Sequence, residues 1–458
     1  MNRRPDAGPH IVRPLAGFYG DDFTGASDNL AQFRRHGLRA RLFLDAAAID
    51  EQSVRDAGLD VVGFAGIARS LAPQPMADEL RPAFGLLARL RPRLIQYKLC
   101  STFDSSPTAG NFAVALGEAA RHWPGCAVPV LAAVPEFGRY TAFGHHFARQ
   151  GDQVYRLDRH PSMSRHAVTP MHEAELARHL AALGVERVAL LDLVALAAGL
   201  PACEALLDRI GGDPVVFDAL SHEDLRRGCE LIWRRAMRGP VFALAAQGFA
   251  HGLGEHLAAQ GYATCPPPAA AIAGVDRLLV LAGSASPATA LQIARAEAEG
   301  FASLRVDPSS LGGADDGDRA AAILAAPVRE ALAAGRSVVV YTARGPADPS
   351  IAAARIATGR DQAGLARSIG HLFARLMERL RAEGGLLRRL VLAGGDTSSH
   401  ALRASGAHAL DVLGSDLRRN LHLFRIVGGP PALEGLEVLL KGGQVGDDAF
   451  FVQALRGS

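Results

Sequence analysis

Short apolar runs alternate with longer helical patterns along the whole chain, and this alternation limits the fold more than any other feature of the sequence. The runs that predict buried strands include residues 15–19, 61–65, 94–98, 128–134 and 188–191. Glycine or a polar turn follows most of them. Strands separated by helix-length segments are typical of α/β layers with a largely parallel sheet, and not of an all-helical bundle.

The length and the charge of the chain exclude several classes of protein. Its 458 residues suffice for two or three domains, each with its own core. Lys plus Arg number 49 and Asp plus Glu 47, so the formal net charge is +2, too balanced for a protein that neutralises a nucleic-acid backbone. Aromatic residues make up only 6%, which argues against a surface built to stack bases. We therefore expect small-molecule partners and no nucleic acid.

Cysteine usage and hydropathy indicate a cytoplasmic protein without a membrane segment. The five cysteines are odd in number and include no Cys-x-x-Cys pair, so neither a disulfide framework nor a zinc clip is predicted. No stretch approaches 18 uninterrupted apolar residues. Residues 1–14 have no apolar run long enough for a signal peptide, and they are predicted to form a floppy tail.

The clearest candidate for a domain boundary is the sequence Thr-Cys-Pro-Pro-Pro at 264–268. Three consecutive prolines cannot join a sheet ladder, and they stiffen a connection. Shortly after them, residues 277–282 predict a strand and residues 288–299 a helix, which begin a second α/β unit. We therefore predict one domain over residues 1–264 and another over residues 276–458.

Two adjacent carboxylates, Asp21 and Asp22, follow the first predicted strand and precede a predicted helix. Ligands of open α/β sheets bind beyond the carboxyl ends of strands, so a reactive group is expected at this place. One carboxylate could accept a hydroxyl proton while the other orients the substrate or a magnesium ion. The alternative is that one aspartate simply caps the helix, together with Thr24.

Two basic residues follow the next strands along the chain. Lys98 leads through Leu99, Cys100 and Ser101 into a turn rich in hydroxyl groups. Positive charge and hydrogen-bond donors near a helix N-terminus suit a carboxylate or a phosphate. Arg69 could reach the same crevice as a bidentate clamp for a carboxylate. The alternative for both is a solvated or surface-paired side chain beside an ordinary turn.

Three glycine-rich turns in the second half of the chain are candidates for phosphate binding. They are residues 283–289, Gly394-Gly395-Asp396-Thr397 and Lys441-Gly442-Gly443-Gln444. Small residues after a strand let backbone N–H groups approach a phosphate, and a helix N-terminus adds positive potential. The P-loop pattern GxxxxGK[ST] occurs nowhere in the chain, and plain strand-to-helix turns remain the alternative.

The histidines do not predict a metal site. Six of the sixteen fall within residues 145–179, but no HExxH or similar ligand spacing occurs. Residues 158–166 and 169–172 form a basic, turn-rich segment that is better explained as a guard over an anionic substrate, or as a solvated loop. The Gly- and Asp-rich segment 309–318 is predicted to be a surface loop.

Taken together, these motifs resemble the four-carbon acid sugar kinase family, a former domain-of-unknown-function family of threonate, erythronate and 3-oxo-tetronate kinases. The resemblance covers nearly the whole chain. Its marks, in the order of the family, are Asp-Asp-Phe-Thr-Gly at 21–25, residues 98–104 with Gly110-Asn111, residues 166–171, 283–289 and 394–398, and Lys441-Gly442. Six weak motifs in one order are hard to produce by chance.

The resemblance implies two α/β domains, each with a largely parallel or mixed sheet flanked by helices, and an active site in the cleft between them. The N-terminal domain would bind the sugar acid and the C-terminal domain ATP. By motif match, the substrate contacts are Asp21 or Asp22, Arg69, Lys98, Leu99, Cys100 and Ser101. The ATP contacts are Ser284 or Ser286, Gly394, Gly395, Asp396, Thr397, Lys441, Gly442, Gly443 and Gln444.

The expected reaction is ATP-dependent phosphoryl transfer to a hydroxyl of a four-carbon sugar acid, which needs positioning and charge neutralisation more than covalent chemistry. Asp22, or Asp21, would accept the hydroxyl proton, while Lys98 and Arg69 hold the carboxylate. The second domain and Mg²⁺ would hold the phosphates. Closure of the two domains about the proline-rich seam would exclude water. A homodimer is a further expectation.

Departures from the family pattern leave the substrate open. Ala285 stands where many relatives carry Cys, Lys441-Gly442-Gly443-Gln444 replaces a commoner Lys-Ser-Gly-Asn, and residues 158–165 resemble only one branch. A kinase for a branched acid such as 3-oxo-isoapionate is therefore one alternative, and a non-catalytic sugar-acid sensor is another. An NAD(P)-linked oxidoreductase is disfavoured because the first turn, Gly20-Asp21-Asp22, supplies no GxGxxG.

Overall fold

A computed structural model describes residues 14–165, 169–269, 271–382, 387–416 and 421–457. The predicted tail at 1–14 therefore lies almost wholly outside the described residues. His166, in the predicted guard segment, also lies outside them.

The strands of the described residues are short, and most are buried along their whole length. They are β1 (Ala16–Gly20), β2 (Ala40–Phe43), β3 (Val61–Ala65), β4 (Leu94–Lys98), β5 (Pro129–Leu131), β6 (Arg139–Ala142), β7 (His145–Gln150), β8 (Gln153–Arg156), β9 (Ala189–Leu191), β10 (Val215–Phe217), β11 (Val241–Ala245), β12 (Leu279–Ala282), β13 (Ala302–Arg305), β14 (Val338–Tyr341), β15 (Arg389–Ala393), β16 (Ala409–Asp416), β17 (Leu421–Val427) and β18 (Glu437–Lys441).

The helices lie between these strands. They are α1 (Phe23–Arg35), α2 (Glu51–Asp56), α3 (Pro73–Leu90), α4 (Phe112–His122), α5 (Leu176–Ala182), α6 (Leu193–Ala197), α7 (Leu200–Ile210), α8 (His222–Ala236), α9 (Gln247–Ala259), α10 (Pro287–Ala298), α11 (Asp316–Ala333), α12 (Pro349–Thr358), α13 (Gln362–Ala382), α14 (Gly395–Ala404) and α15 (Phe450–Arg456). The α/β class expected from the sequence is confirmed. The predicted loop at 309–318 is partly wrong, because α11 already begins at Asp316.

One large sheet runs through the molecule. Its strand order over the described residues is β13-β14-β12-β15-β18-β17-β16-β2-β3-β1-β4-β11-β5-β10-β9. We call the strands from β2 to β9 in this order the first half-sheet and those from β13 to β16 the second half-sheet. All pairs inside the first half-sheet are parallel, as are the pairs from β13 to β18. The sequence predicted two sheets, and their edge-to-edge joining is a finding of the structure.

The joint between the half-sheets is a short antiparallel ladder. Strands β2 and β16 pair through Leu42 with Leu410 and Phe43 with Ala409. A bidentate ion pair reinforces the ladder, because Arg41 donates from Nε and Nη2 to the two carboxylate oxygens of Asp411 at 2.7 and 2.9 Å. A closing movement of the domains would therefore have to bend or break this ladder.

The proline-rich seam is bonded to the folded units around it. The backbone N–H groups of Thr264 and Cys265 donate to the carbonyl of Gly37 at 2.9 and 3.0 Å. A little further on, the N–H of Ser415 in β16 donates to the carbonyl of Ala269 at 2.9 Å. These bonds anchor the seam, so movement at the prolines alone has little freedom.

Helix α1 packs against elements of both halves. Its buried residues Leu30 and Phe33 share a core cluster with Leu410 of β16 and Phe424 of β17. On the same helix, Asp28 lies 3.5 Å from His422 of β17. The half-sheets thus share part of one core, and α1 leads directly from β1 into that shared region.

A separate sheet of β6, β7 and β8 is antiparallel throughout. His146 of β7 ties it to the first half-sheet, because its Nε2 lies 2.8 Å from the carbonyl oxygen of Ser101, just after β4. No helix in the described ranges combines the length and the apolar character that a membrane crossing requires.

Candidate active site

A cavity of about 490 Å³ lies where loops of the first half-sheet meet loops of the second. Its walls come from the segments that follow β1, β3, β15 and β18. The residues that line it are Asp21, Asp22, Phe23, Thr24, Gly66, Ile67, Arg69, Ser70, Thr169, Gly395, Asp396, Ser399, Gly442, Gly443 and Gln444. The structure thus brings together motifs that are more than 400 positions apart in the chain.

Sheet twist explains how these loops can meet. The antiparallel pairs from β2 to β18 make the two sets of parallel strands run in opposite directions, which in a flat sheet would place their carboxyl ends on opposite edges. Sheets twist by roughly 20–25° per strand, and the five steps from β18 to β1 accumulate to about 110°. With a twist of this size, the carboxyl ends of both sets of strands can reach one cavity.

A compact ion cluster lines the first side of the cavity. The Arg69 guanidinium donates to both carboxylate oxygens of Asp21, from Nη2 at 2.7 Å and from Nε at 3.1 Å. The same Nη2 donates to Asp22 Oδ1 at 2.6 Å. Lys98 Nζ lies 3.8 Å from that oxygen. Two carboxylates and two cations therefore balance one another within a few ångströms.

The two aspartates differ in exposure and in acidity. The Asp21 side chain is 1% exposed and that of Asp22 is 30% exposed. Burial raises the pKa of Asp21, and the charges of Arg69 and Lys98 only partly offset it. Burial also disfavours ionised Asp22, but there the charges of Arg69 and Lys98 prevail and lower its pKa. Asp22 is thus the accessible carboxylate of the pair, and it is ionised at neutral pH.

Asp22 also caps α1, as the structural alternative predicted. Its Oδ2 accepts a hydrogen bond from the backbone N–H of Gly25 at 3.2 Å. A Cβ at Gly25 would collide with both Lys98 Nζ and Asp22 Oδ1, so glycine is needed for the lysine to approach the start of the helix. Asp22 therefore both caps α1 and lines the cavity.

The segment after β4 supports this side of the cavity from behind. Lys98 and Leu99 are buried, and neither they nor Cys100 and Ser101 line the cavity. The Sγ of Cys100 lies 3.0 Å from the hydroxyl of Thr102. Burial raises the pKa of the Cys100 thiol, which keeps it protonated. Direct substrate contact by residues 99–101 therefore stays a prediction.

The second side of the cavity is the start of helix α14. Gly394 is its N-cap, with φ of 129°, and no side chain caps the helix. A Cβ at Gly394 would collide with the hydroxyl of Thr397, whose Oγ1 donates to the Gly394 carbonyl at 3.3 Å. Ser399, 1% exposed, has an Oγ without a hydrogen-bond partner among the described residues. Backbone donors of the first turn thus lie at the cavity wall, and an unpartnered hydroxyl is buried just behind them.

The loop after β18 is held by Lys441. Its Nζ donates to Thr289 Oγ1 at 2.9 Å and to the carbonyls of Gly442 and Gly443 at 3.0 and 3.2 Å. Burial lowers the pKa of Lys441 to about 8. The hydroxyl of Ser286 also donates to the Gly443 carbonyl. Lys441 and Ser286 therefore shape the glycine loop from beneath, while Gly442, Gly443 and Gln444 line the cavity.

Thr24 links the two sides of the cavity. Its methyl and hydroxyl lie 3.6 and 4.0 Å from the Cβ position of Gly442, and its hydroxyl lies 3.9 Å from that of Gly395. From the sequence, Thr24 is expected only as a helix cap. Its position inside the Asp-Asp-Phe-Thr-Gly motif is the signal for a larger role.

Other cavity residues had weaker signals in the sequence. Gly66, Ile67 and Ser70 flank Arg69 in the segment after β3, and Thr169 belongs to the predicted guard segment. Composition gives a stronger indication of the site than these residues do. Of the 49 Lys and Arg residues, only Lys98 and Lys441 are lysines. Both lie directly behind this cavity.

Two protein-family models match the two halves of the chain. A family model described as a sugar-binding N-terminal domain matches residues 16–253, and one described as a nucleotide-binding C-terminal domain matches residues 279–451. Both spans fall within the predicted domain ranges, whose boundaries stay predictions.

Two curated relatives match almost the full chain. A 3-oxo-isoapionate kinase of Paraburkholderia graminis is 37% identical over 95% of this chain and 93% of its own. A 3-oxo-tetronate kinase of Methylobacterium radiotolerans is 32% identical over 96% and 98%. A crystal structure from Salmonella typhimurium LT2 has the same fold, with a TM-score of 0.74 at 23% identity over 96% of this chain and 98% of its own.

Proposed function

The chain belongs to the four-carbon acid sugar kinase family and is a sugar-acid kinase, and we propose that the cavity between Asp22 and Gly442 is its active site. ATP is the phosphoryl donor implied by this membership. The observation that most directly supports this active site is that two kinds of groups meet in one cavity. An ion cluster with an accessible carboxylate lies on one side, and an uncapped helix start and a glycine loop lie on the other. A non-catalytic sensor and an NAD(P)-linked oxidoreductase find no support among relatives that are named kinases.

In this proposal Asp22 accepts the proton of the hydroxyl that attacks ATP. It lines the cavity and is the more exposed of the two aspartates. Its lowered pKa makes it a weak base, which suffices because the transition state of phosphoryl transfer is loose and needs little nucleophile activation. Asp21 then serves as a positioning residue, since it holds the Arg69 guanidinium at both oxygens.

The carboxylate of the sugar acid is proposed to bind beside Arg69. The Nε and Nη2 atoms of Arg69 are engaged by aspartates, whereas Nη1 has no recorded hydrogen bond within the described ranges. Ser70 and Thr169 line the same cavity, and the Ser70 hydroxyl, which donates to the Ile67 carbonyl at 3.1 Å, leaves its oxygen to accept a hydrogen bond from a substrate hydroxyl. Lys98 contributes charge from behind Asp22. A planar guanidinium with a free edge is well suited to a carboxylate.

The phosphates of ATP are proposed to bind at the start of α14 and on the glycine loop. The first turn of a ten-residue helix with no side-chain cap offers free backbone donors and positive potential. The absence of side chains at Gly395, Gly442 and Gly443 allows close approach, and the unpartnered hydroxyl of Ser399 is buried just behind this wall. Gln444 lines the outer part of this wall.

The residues present also fit a magnesium ion. Mg²⁺ in kinases is typically held by one or two carboxylates together with substrate phosphates and water. Asp396 lines the cavity in the first turn of α14, beside the proposed phosphate site, and is the carboxylate proposed to hold it. When bound, the ion would neutralise phosphate charge and orient the terminal phosphate.

A branched 3-oxo sugar acid is the second candidate substrate, favoured by the 37% identity to the 3-oxo-isoapionate kinase over 95% of the chain. The test is ADP release with Mg²⁺ and a panel of threonate, erythronate, 3-oxo-tetronates and 3-oxo-isoapionate. We expect turnover with one 3-oxo acid to exceed that with the others by at least about tenfold. ATP binding without ADP release from any acid in the panel would contradict the proposal.

Gly394→Ala is expected to raise the KM for ATP by at least about tenfold. The new Cβ would collide with Thr397 and distort the start of α14, where the phosphates are proposed to bind. Gly335→Ala is the matched control, because Gly335 also has positive φ (78°) but open space around its Cβ position. Gly335→Ala should lower the free energy of unfolding by about 1 kcal/mol and leave the KM for ATP unchanged. Equal KM values in the two variants would argue against this ATP site.

The KM for ATP is expected to rise with pH above about 8. Lys441 is protonated below its lowered pKa of about 8 and neutral above it. Loss of that charge weakens the attraction for phosphates, so the KM should increase about tenfold between pH 8 and pH 9.5. Steady-state kinetics across this range measure the effect. In Lys441→Met the KM for ATP should be high at every pH and should not change with pH. If the KM of that variant rose with pH as it does in the wild type, Lys441 would not be the source of the pH dependence.

Three expectations from the sequence stay proposals. We propose that the reaction runs in the cytoplasm. We also propose that domain closure excludes water, with the β2–β16 ladder bending rather than the proline-rich seam pivoting. A homodimer stays a prediction, which sedimentation of the purified chain would decide.

A further inference from the structure

Four ionisable side chains gather at a place far from the lining of the cavity. His222 is the first residue of α8, and His251 and Glu255 lie one turn apart on α9. His36, at the end of α1, completes the group. None of the four lines the active-site cavity.

The contacts among these side chains are close. His222 Nε2 lies 2.7 Å from Glu255 Oε2, and the ring centroids of His222 and His251 are 4.7 Å apart. One potential ligand atom from each of His222, His251 and Glu255 lies within 4.8 Å of the other two. Such an arrangement of two imidazoles and a carboxylate is the donor set of open zinc sites.

His36 orients one of the ligands from behind. Its Nε2 lies 2.8 Å from Nδ1 of His251, and the two rings are stacked at 5.0 Å. A hydrogen bond at one ring nitrogen of a histidine fixes the tautomer and the direction of the other nitrogen. The bond to His36 therefore leaves His251 Nε2 as the nitrogen available for coordination.

We propose that His222, His251 and Glu255 bind one divalent transition-metal ion, with Zn²⁺ as the expected occupant and water completing the coordination. Ligand atoms of tetrahedral zinc lie about 3.3 Å apart, so the three side chains need only a small approach. The side chains of His222 and Glu255 are 49% and 39% exposed, which gives them room to make it. Coordination through His222 Nε2 leaves the proton of the neutral ring on Nδ1.

The surroundings leave space and little opposing charge. A separate cavity of about 410 Å³ adjoins the site, and both His222 and His251 line it. Two nearby cations have partners of their own: Arg35 on α1 pairs with Glu136 at 3.6 Å and with Gln32 at 2.9 Å, and Arg226 on α8, which also interacts with Glu255, donates to both carboxylate oxygens of Glu223 at 2.9 Å. Imidazole ligands favour zinc over the hard ions Mg²⁺ and Ca²⁺, so the magnesium of the kinase reaction should not compete.

The test is a calorimetric titration of the full chain with ZnCl₂ in the absence of ATP and magnesium. We expect one zinc per chain, and at least about tenfold weaker binding in His222→Ala and in Glu255→Gln. His256→Ala is the matched control, since His256 lies on α9 next to Glu255 but outside the cluster. It should bind zinc as the wild type does. Unchanged unfolding midpoints of the metal-free variants would exclude a loss through misfolding.

Two further readouts make the result decisive. X-ray absorption of the zinc-loaded wild type should show nitrogen ligands at about 2.0–2.1 Å that decrease in number in His222→Ala. Zinc should also raise the unfolding midpoint of the wild type. A wild-type chain that binds no zinc at micromolar concentrations, or variants that bind it as tightly as the wild type, would overturn the proposal. Kinase activity is not needed for any of these measurements.

Discussion

Asp22→Asn is expected to lower kcat by at least about 100-fold and to leave the KM for ATP about unchanged, because the side chain would no longer accept a proton from the attacking hydroxyl. Asparagine has the same shape and is as good a helix N-cap as aspartate, so the bond from the Gly25 N–H can persist. The change therefore removes charge and basicity with little effect on α1. Steady-state kinetics with the best acid of the panel measure it.

Asp50→Asn is the matched control for this substitution. Asp50 caps α2 by accepting from the Ser53 N–H at 2.9 Å, and it does not line the cavity. Its replacement should leave both kcat and KM at the wild-type values. If Asp22→Asn behaved like Asp50→Asn, Asp22 would not be the base.

The neighbouring aspartate offers the sharper comparison. Asp21→Asn should reduce kcat less than Asp22→Asn does, because Asp21 acts by holding Arg69 and its side chain is only 1% exposed. The pH profile of Asp21→Asn should keep the acidic limb that an ionised Asp22 produces. A larger loss in Asp21→Asn, together with loss of that limb, would reverse the assignment of the two residues.

Local patterns in the sequence predicted most of the elements that carry the site. The apolar runs at 61–65 and 94–98 coincide with β3 and β4, because strands covered on both faces are apolar along their whole length. The motifs after β1, β15 and β18 stand at strand ends, where a ligand site was expected. The fold class and the family are confirmed.

Contacts between distant segments could not be predicted in the same way. The β2–β16 ladder joins Leu42 to Leu410 across nearly the whole chain, and a period-two pattern does not specify its partner strand. Arg69 was predicted to face a substrate carboxylate, but two of its nitrogen atoms are engaged by Asp21 and Asp22. Lys441 turns towards its own loop. Side-chain direction at these positions depends on neighbours that only the folded chain supplies.

The metal-ligating cluster illustrates the same limit. His222 and His251 are 29 positions apart, and the spacing of His251 and Glu255 resembles no ligand motif by itself. The packing of α8 on α9 brings them together. Sequence spacing reveals sites built on one helix or one turn, whereas sites shared between helices become visible only in the structure.

Arg69→Met is expected to lower the free energy of unfolding by about 3–5 kcal/mol at pH 8, because it leaves the buried carboxylate of Asp21 without its partner. The loss should be smaller near pH 5. Without Arg69 the pKa of Asp21 in the folded state rises further above its unfolded value, so the folded state takes up a proton as the pH falls and is stabilised by it. Denaturant unfolding at the two pH values measures the difference.

A second substitution separates this electrostatic loss from lost packing. In Asp21→Asn/Arg69→Met no buried charge is left unpaired at position 21, so the double variant should be more stable at pH 8 than Arg69→Met alone, and its stability should depend less on pH. Arg178→Met is the control, since Arg178 is 72% exposed and pairs with Glu175 at 3.2 Å on the surface. It should cost less than about 1 kcal/mol. A double variant no more stable than Arg69→Met would mean that Arg69 acts through packing and not through the charge of Asp21.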